Sequence, residues 1–167
     1  MIETERLLIR PLSAEELKKH YNSPDAFAKE LGLKPSQSLV DNETKDAILS
    51  LFLPNIEDAK KDPHFYTMWI VIEKTQKVMI GGICFHGEPN ENGEVEIGYG
   101  TDTEYRNKGY MTETISGMIS WIRGNKKIKI IKAETEIENQ SSIKVLEKNN
   151  FKVIEQIDKA VFLQYQL

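Results

Sequence analysis

The hydrophobic period of this chain changes near residue 65, and this change limits the folds it can adopt. Before that point, short apolar segments are separated by helix-start signals and prolines. After it, runs of aromatic and β-branched residues alternate with polar turns, as β-strands do. Beyond residue 100, amphipathic helical segments alternate with further strand-like runs. The order predicts a sheet that carries helices on its faces.

The first 64 residues predict one strand and three helices. Ser13 followed by Glu16 forms a capping box, which marks a helix start. Proline suits only the first turn of a helix, so Pro24 marks a second start and Pro54 is expected to interrupt or end the third helix. The predicted elements are a strand at 6–10 and helices from the Ser13 cap to about 21, over a short stretch from 24, and from 41 to about 52.

The remaining residues predict strands, two longer helices and a final hairpin. Ile115, Met118, Ile119 and Ile122 follow the i, i+3, i+4, i+7 spacing of an apolar helix face. The Gly81–Gly82 pair within a strand suggests a bulge or a close approach of two backbones. The predicted strands are 65–72, 78–85, 95–99, 128–135, 151–157 and 160–164, and the predicted helices are about 109–123 and 139–149.

The strand–helix–strand succession from 95 to 135 places one parallel pair within an otherwise antiparallel set. An α/β architecture with a mixed, mostly antiparallel sheet is therefore expected. No internal repeat, low-complexity tract or linker divides the sequence, so residues 1–167 are expected to form a single domain.

Composition narrows the function classes. The chain has 22 Lys and Arg against 26 Asp and Glu, a formal net charge of −4, so the basic charge typical of nucleic-acid-binding proteins is missing. The acidic balance favours cationic or amine substrates. No run reaches about 18 apolar residues, so no membrane span is expected. The N-terminus lacks the pattern of a signal peptide, which fits a cytoplasmic protein.

Cysteine and histidine usage points away from metal and disulfide chemistry. Cys84 is the only cysteine, and it lies in an apolar run, so we interpret it as a buried small hydrophobe rather than a nucleophile. One cysteine cannot close an intrachain disulfide, which again fits a reducing cytoplasm. His20, His64 and His86 lack ligand spacing, so no metal site is expected.

The segment Tyr105–Glu113 joins a predicted strand to a predicted helix. The first N–H groups of a helix lack backbone partners and, with the helix dipole, they bind phosphate groups. Gly109 would let a ligand approach the backbone, and Arg106 and Lys108 add positive charge. The segment matches neither a Walker loop nor a dinucleotide fingerprint. A pyrophosphate site and a plain loop both remain open on this segment alone.

Five segments in a fixed order resemble the GNAT superfamily of N-acetyltransferases. Within it, the chain is similar to the branch that acetylates the N-terminal alanine or serine of ribosomal proteins and assorted amines. The resemblance covers nearly the whole chain. The segments are Glu5–Pro11, Ile80–Gly82, Glu96–Tyr99, Tyr105–Glu113, and Asn139–Lys148 before Phe151.

The resemblance implies the GNAT fold, with a six- to seven-stranded sheet that splays between the family's fourth and fifth strands, here 95–99 and 128–135. Acetyl-CoA is the implied co-substrate, with its pantetheine arm in that gap. Met111 departs from the small residue usual at the end of the phosphate-binding motif, so the loop is either wider there or turns this side chain into the core. The implied cofactor contacts are Ile97, Tyr99, Arg106, Asn107, Lys108, Gly109, Tyr110, Met111, Thr112, Asn139 and Ser142.

Asn139 and Ser142 are three residues apart and share a helix face. The resemblance implies that Asn139 contacts pantetheine and that Ser142 lies near the sulfur, although Asn139 could equally cap the helix. Other family members place a proton-donating Tyr one turn further on, where this chain has Leu146. Ser142 or a water is therefore expected to protonate the leaving thiolate. Asn150 replaces a glycine before Phe151, and Asn tolerates the left-handed conformation needed there.

Glu96 is the candidate general base or water-positioning residue, because acetyl transfer needs a neutral amine. Glu94 shares its strand face and could raise the pKa of Glu96 as a like charge. A surface charge or a salt bridge explains both residues equally well. His86, Glu88 and Glu134 are weaker candidates for the same role.

The early helices and the loops around Phe27, Phe65 and Tyr66 are expected to hold the acyl acceptor, although such aromatics more often pack in a core. Trp69 and Trp121 are interpreted as packing residues. Lys144 and Lys148 fit either CoA phosphates or a solvated helix face.

The sequence thus predicts an N-acetyltransferase that moves an acetyl group directly to a primary amine in a ternary complex, without a metal. The acceptor would be a peptide or protein N-terminus or a small amine. A non-catalytic acetyl-CoA-binding sensor or partner protein is the alternative, because Leu146 and Met111 depart from the family pattern. No nucleic acid or membrane partner is expected. A monomer, or a homodimer paired through an exposed edge or the final hairpin, is expected.

Overall fold

The computed structural model describes residues 1–34 and 42–167. Its strands are β1 (Ile2–Glu3), β2 (Leu7–Pro11), β3 (Met68–Glu73), β4 (Val78–Phe85), β5 (Glu94–Thr101), β6 (Ile130–Glu136), β7 (Lys152–Ile157) and β8 (Ala160–Gln166). They form one eight-stranded sheet in the order β1-β2-β3-β4-β5-β6-β8-β7, in which β5–β6 pair in parallel and the other neighbours pair antiparallel. The expected mixed sheet is confirmed. The sequence predicts six to seven strands, and the additional strand is β1, which is too short to give a sequence pattern.

The helices are α1 (Ala14–Asn22), α2 (Pro24–Glu30), α3 (Asn42–Ala47), α4 (Leu53–Ile56), α5 (Tyr110–Ile122) and α6 (Gln140–Lys148). Short 3₁₀ turns lie at Pro63–Phe65 and Thr103–Tyr105. The capping box of α1 is confirmed, because Glu16 N–H donates to the Ser13 hydroxyl and Ser13 N–H donates to the Glu16 carboxylate. Asn150 has the expected left-handed conformation, with φ of 64°.

Of the two outcomes expected at Pro54, the structure shows an interruption of the third α-helix rather than its end. The chain runs from α3 through a π-helical segment at Ile48–Phe52 into α4, which continues to Ile56. Proline cannot donate the N–H bond of a regular helix, and the wider hydrogen-bond pattern before it accommodates the continuation. The predicted start at Asp41 lies outside the described residues.

Two helical layers cover the two faces of the sheet. The predicted apolar stripe of α5 is confirmed, because Ile115, Met118 and Ile122 are at most 1% exposed against one face, together with Leu146 of α6. On the other face, Leu17 of α1 and other residues of the first helices pack over β3 and β4. The aromatics considered for the acceptor site, Phe27, Phe65 and Tyr66, are buried core residues. The packing interpretation of Trp69 and Trp121 is confirmed, because Trp69 is buried and Trp121 packs against it.

Both features suggested for the Gly81–Gly82 pair are present. The β3–β4 register shifts between Val71 and Ile72, next to the partner of Gly81. Gly81 has φ of 154°, and a Cβ on it would collide with the carbonyl oxygen of Gly100 on β5. A side chain at position 81 would therefore separate β4 from β5.

The splay expected from the resemblance is confirmed. β5 and β6 pair only over Glu94–Glu96 and the facing residues 130–132. Beyond this point β5 continues to Thr101, paired with β4 on its other edge, while β6 continues to Glu136, paired with β8. Within the described residues, the facing edges of β5 and β6 therefore diverge into a V-shaped gap.

Candidate functional site

A cavity of about 560 Å³ lies where the gap between β5 and β6 meets the N-terminal ends of α5 and α6. The charged residues of its lining, Arg106, Lys144 and Lys148, are all cations. Of the predicted cofactor contacts, only Ile97 and Lys108 are absent from the lining. The lining residues are Tyr99, Gly100, Thr101, Tyr105, Arg106, Asn107, Gly109, Tyr110, Met111, Thr112, Asn139, Ser141, Ser142, Lys144, Val145 and Lys148.

The N-terminus of α5 opens into this cavity. Asn107 and Gly109 both have left-handed backbones, with φ of 60° and 79°, and this double turn leads into the helix at Tyr110. In the described part of the chain, no side chain caps this helix. Its first N–H groups therefore lie at the cavity with the positive end of the helix dipole, as an anion site requires.

A clamp formed by Arg6 and Glu113 holds the loop before α5. One carboxylate oxygen of Glu113 accepts bonds from the Thr4 hydroxyl (2.7 Å) and Arg6 N–H (2.8 Å), and the other accepts from Arg6 Nε at 2.6 Å. Arg6 Nη1 donates to the Lys108 carbonyl at 3.0 Å, and the guanidinium lies 4.5 Å from the Tyr110 ring centroid. Burial would raise the pKa of Glu113, but the bonds from Thr4 and Arg6 hold it below its ordinary value.

This clamp orients a peptide group at the cavity. In a trans peptide, the C=O and the following N–H point in opposite directions. Because Arg6 holds the Lys108 carbonyl, the Gly109 N–H points away from the guanidinium. No local pattern predicts the clamp, since 107 residues separate Arg6 from Glu113. Both residues lie in the segments that carry the family resemblance, which is the only signal in the sequence for them.

The first turn of α6 forms the facing wall. Asn139 caps this helix: its side-chain oxygen accepts bonds from Ser142 N–H at 3.2 Å and from the Ser141 hydroxyl at 2.9 Å. The capping interpretation is therefore correct, and Asn139 lines the cavity as well.

Tyr99 crosses the gap from β5 to α6. Its hydroxyl lies 2.8 Å from Ser142 Oγ and donates to the Ser142 carbonyl at 3.3 Å. Burial raises the pKa of Tyr99 to about 12, so the phenol stays protonated at neutral pH. Leu146, one turn further along α6, is fully buried. The hydroxyl pair of Tyr99 and Ser142 thus adds to the polar groups of this wall.

Three predicted contacts are buried in the core. Ile97, Tyr110 and Met111 are at most 8% exposed and belong to the core against α5. Of the two alternatives for Met111, the structure shows the side chain turned into the core. Lys108 is exposed, and its Nζ lies 5.0 Å from the Tyr105 ring centroid.

Glu96 lies on the face of β5 opposite Ile97 and Tyr99. His86 lies beside Glu96. His86 Nδ1 and Glu96 Oε1 are 2.8 Å apart, so the salt-bridge interpretation of Glu96 is correct. Hydrogen bonds with Cys84 and Glu96 raise the pKa of His86 to about 10. The bond from His86 holds the pKa of Glu96 below its ordinary value.

The expected like-charge effect of Glu94 on Glu96 is wrong. Glu94 binds Lys132 Nζ at 2.9 Å and accepts from the Asn90 amide at 2.8 Å, so its charge is compensated locally. His86 then sets the direction of the Glu96 pKa, which is lowered rather than raised.

The weaker base candidates differ in their surroundings. Glu88 accepts from the Tyr66 hydroxyl at 3.3 Å and from Asp62 N–H at 3.0 Å, away from the cavity lining. Glu134 is exposed on β6, opposite Phe162 of β8. Of these three weaker candidates, His86 is the one that contacts Glu96.

Residues 1–34 and 42–167 contain neither a candidate metal-binding cluster nor a candidate membrane-spanning helix. No group of three or more His, Cys, Asp or Glu side chains could hold a metal ion there. In the same residues, none of the helices combines the length and apolar character that crossing a bilayer requires.

Comparisons with known proteins agree with this geometry. A family model, the acetyltransferase (GNAT) domain, matches residues 6–152. The chain is 29% identical over 151 residues to the uncharacterized N-acetyltransferase YjdG of Bacillus subtilis (strain 168), a match that covers 90% of this chain and 89% of that protein.

Two solved structures show the same fold. The ribosomal-protein-S5-alanine acetyltransferase from Vibrio fischeri matches with a TM-score of 0.68 and 18% identity over 98% of this chain and 94% of that one. The spermidine N-acetyltransferase from Vibrio cholerae, in complex with CoA and spermine, matches with a TM-score of 0.66 and 16% identity, covering 98% and 96%. At these identities the likeness concerns the fold.

Proposed function

The chain belongs to the GNAT family of acetyltransferases, and from this premise we propose that it transfers acetyl from acetyl-CoA directly to a primary amine in a ternary complex. The observation that carries the proposal is the cationic cavity where the sheet splays. It joins the uncapped N-terminus of α5 to an open strand edge on β5. This arrangement suits a ligand with a pyrophosphate at one end and an amide-containing arm at the other.

The pyrophosphate would bind at the N-terminus of α5. The N–H groups from Asn107 to Thr112 supply neutral donors, with Arg106, Lys144 and Lys148 as the surrounding cations. Arg106 Nε already donates to the Thr101 carbonyl at 3.0 Å, which leaves the other guanidinium nitrogens for the ligand.

Pantetheine would follow the free edge of β5 from Thr101 towards Ile97. Its amides would pair with backbone groups that β6 leaves free beyond Glu96. A backbone N–H of β5 would then polarise the thioester oxygen, while Asn139 lies along the opposite wall.

Ser142 would protonate the departing thiolate, with Tyr99 behind it. The Tyr99 hydroxyl can donate to Ser142 Oγ as the serine proton moves to sulfur, because the two oxygens are 2.8 Å apart. This pair supplies a hydroxyl near the position that Leu146 leaves apolar.

Glu96 would act through a water molecule. Its carboxylate is held ionised by His86, so it is a weak base by itself but a good acceptor for a water that takes the amine proton. At pH 7, neutralising an amine of pKa ~10.4 costs about 4.6 kcal/mol, whereas an α-amine near pKa ~7.8 costs about 1 kcal/mol. The energetic difference favours peptide N-termini over alkyl amines such as spermidine, for which the Vibrio cholerae enzyme is named.

Release of free thiol from acetyl-CoA tests the proposal directly. One acceptor pool holds peptides with varied N-terminal residues, and the other holds small amines, polyamines and aminoglycosides. We expect turnover with the peptide pool. Turnover confined to the second pool would contradict the acceptor class, and silence in both with intact acetyl-CoA binding would favour the non-catalytic alternative.

Substitution Glu96→Gln tests the proton path. We expect kcat to fall about 100-fold, the usual scale of general-base loss, while acetyl-CoA affinity by calorimetry stays unchanged. Glu136→Gln is the matched control, because Glu136 is an exposed glutamate on the neighbouring strand and is absent from the cavity lining. Equal kcat in both variants would remove Glu96 from the mechanism.

A further inference from the structure

A buried side chain at the end of α6 hydrogen-bonds to the first turn of α5. Asn149 follows α6 directly and is 7% exposed. Its amide nitrogen donates to the Val145 carbonyl at 3.0 Å and to the Thr112 carbonyl at 3.2 Å. Val145 belongs to the last turn of α6, where carbonyls lack partners within the helix, and Thr112 belongs to the first turn of α5. We call these two bonds the Asn149 bridge.

The chemistry of the two partners explains why an amide stands at this position. Both partners are carbonyl oxygens, which only accept, so the amide nitrogen faces them and uses both of its hydrogens. Leucine and ionised aspartate are close to asparagine in size but have no hydrogen to donate, and serine has only one. None of these three residues could make both bonds of the bridge.

The Asn149 bridge joins two walls of the cofactor cavity. Thr112 lines the cavity from α5 and Val145 lines it from α6, whereas Asn149 itself is absent from the lining. Within the part of the chain that the structure describes, no other hydrogen bond or ion pair joins α5 to α6. The bridge therefore acts on the spacing of the two walls without touching a ligand between them.

The other side of the bridge is open space. A second cavity of about 550 Å³ lies there, and Thr112, Lys148 and Asn149 all belong to its lining. A close-packed core would by itself resist a change in the spacing of two helices, but a cavity offers no such resistance. The spacing of α5 and α6 at this end therefore depends on the two bonds of Asn149.

We propose that Asn149 is a positioning residue for acetyl-CoA, and that its amide holds the end of α6 at the distance from the α5 N-terminus at which both helices bind the same ligand. The inference rests on the proposed function, in which the N–H groups of α5 and the α6 residues Lys144 and Lys148 surround the pyrophosphate. A spacing that exists before binding lowers the cost of ordering the site. Without the bridge, the ligand has to bring the two helices to this distance as it binds.

Asn149→Leu removes both donors, adds no charge and changes the side-chain volume little. We expect the Kd for acetyl-CoA, measured by calorimetry, to rise at least about tenfold, because the site is no longer pre-organised. KM for acetyl-CoA should rise with Kd, and kcat should stay nearly unchanged, because Tyr99 and Ser142 lie at the other end of α6. Asn149→Gln keeps the amide and should recover part of the affinity.

Asn149→Ser is a second variant for the case that Asn149→Leu is unstable. Its single hydroxyl hydrogen can bond to the Val145 carbonyl, four residues earlier, but not to both carbonyls. The end of α6 then keeps a partner while the bond to α5 is lost. We expect this variant also to bind acetyl-CoA more weakly than the wild type.

Asn125→Leu is the matched control for a general loss of stability. Asn125 also follows a helix closely, and its side chain accepts a bond from Lys127 N–H at 3.0 Å. It lies at the far end of α5, roughly 20 Å along the chain axis from Thr112, and is absent from the cavity lining. The control should have a lower melting temperature but the affinity of the wild type.

Hydrogen exchange without cofactor tests the bridge independently of the proposed function. In Asn149→Leu, the amides of 113–118 and 146–151 are expected to exchange at least about threefold faster, with the strands unchanged. Unchanged exchange in these two segments, or equal Kd values in wild type and Asn149→Leu, would overturn the proposal. A wild type that bound no acetyl-CoA would contradict the proposed function, while faster exchange in Asn149→Leu would still support the bridge between the helices.

Discussion

Arg6 shows how a single side chain can shape the cofactor site from a distance. Its guanidinium joins the Glu113 carboxylate, the Lys108 carbonyl and the Tyr110 ring. A lysine could not make the same three contacts. Its ammonium lacks the planar, forked shape with which a guanidinium donates to two acceptors and stacks on an aromatic ring. The residue therefore holds the loop conformation rather than contacting the ligand.

Arg6→Ala is expected to weaken acetyl-CoA binding about tenfold, equivalent to about 1.4 kcal/mol, because the Lys108–Gly109 peptide loses its fixed orientation. Calorimetric titration with acetyl-CoA measures this, and KM for acetyl-CoA should rise more than kcat falls. Arg10→Ala is the matched control, since Arg10 lies in β2, four residues after Arg6, and pairs with Glu16 at 2.6 Å. Equal affinities in the two variants would contradict the positioning role.

At the scale of elements, the junction before α5 combines backbone and charge. Gly109 has a φ of 79° at the start of the helix, a backbone conformation that favours glycine. The choice of residue at this position therefore affects the backbone that forms the anion site. Asn and Asp are the non-glycine residues that best tolerate this region, and they are nearly identical in shape. Comparing Asn with Asp at position 109 therefore separates the effect of charge from the effect of backbone strain.

Gly109→Asp is expected to bind acetyl-CoA at least about tenfold more weakly than Gly109→Asn, because only Asp places an anion beside the pyrophosphate. Both variants should have similar melting temperatures. Titration at low and high salt checks the cause, since screening should narrow the difference. Equal affinity of the two variants would refute the pyrophosphate assignment.

The β4–β5 contact depends on a glycine for a steric reason. Gly81→Ala is expected to destabilise the fold by about 2 kcal/mol or more, because its Cβ would collide with the Gly100 carbonyl and φ is 154°. Gly100→Ala, whose Cβ would meet no atom within 4 Å, should cost less than about 1 kcal/mol. Urea unfolding of both variants measures the difference, and similar losses would contradict the steric argument.

At the scale of the whole molecule, two histidines with opposite shifts shape the dependence of stability on pH. His20 is 1% exposed with no hydrogen-bond partner among the described residues, and burial lowers its pKa. The fold favours the neutral form of His20. The stability contributed in this way is present above the unfolded pKa of about 6.5 and is lost as the pH falls below that value. For His86, bonds with Cys84 and Glu96 raise the pKa to about 10, so its contribution is present below about 6.5 and is lost as pH rises towards 10.

The free energy of unfolding is therefore expected to fall on both sides of about pH 6.5. Urea unfolding at pH 5.2, 6.5 and 9 measures it, values chosen to stay above the ordinary range of carboxylates (roughly pH 4). His20→Leu should flatten the acid side, and His86→Gln should flatten the alkaline side. An acid-side loss that persists unchanged in His20→Leu would show that another group causes it.

Local sequence determined most of the elements, because their signals act over a few residues. The Ser13–Glu16 capping box, the apolar stripe of α5 and the glycine pair in β4 each describe contacts within one turn or one strand pair. The order of these elements also determined the mixed sheet, since a strand–helix–strand unit closes as a parallel pair. The resemblance of five segments added the cofactor and the residues of the cavity wall.

Only the tertiary structure decided the partners of the charged and polar side chains. The Arg6–Glu113 clamp, the Tyr99–Ser142 pair and the His86–Glu96 pair each join residues that lie apart in the sequence. The pKa of Glu96 is lowered because His86 lies beside it, whereas sequence alternation pointed to Glu94. Electrostatic effects depend on distances of a few ångströms in space, and sequence spacing along one strand does not encode the side chain that a neighbouring strand brings.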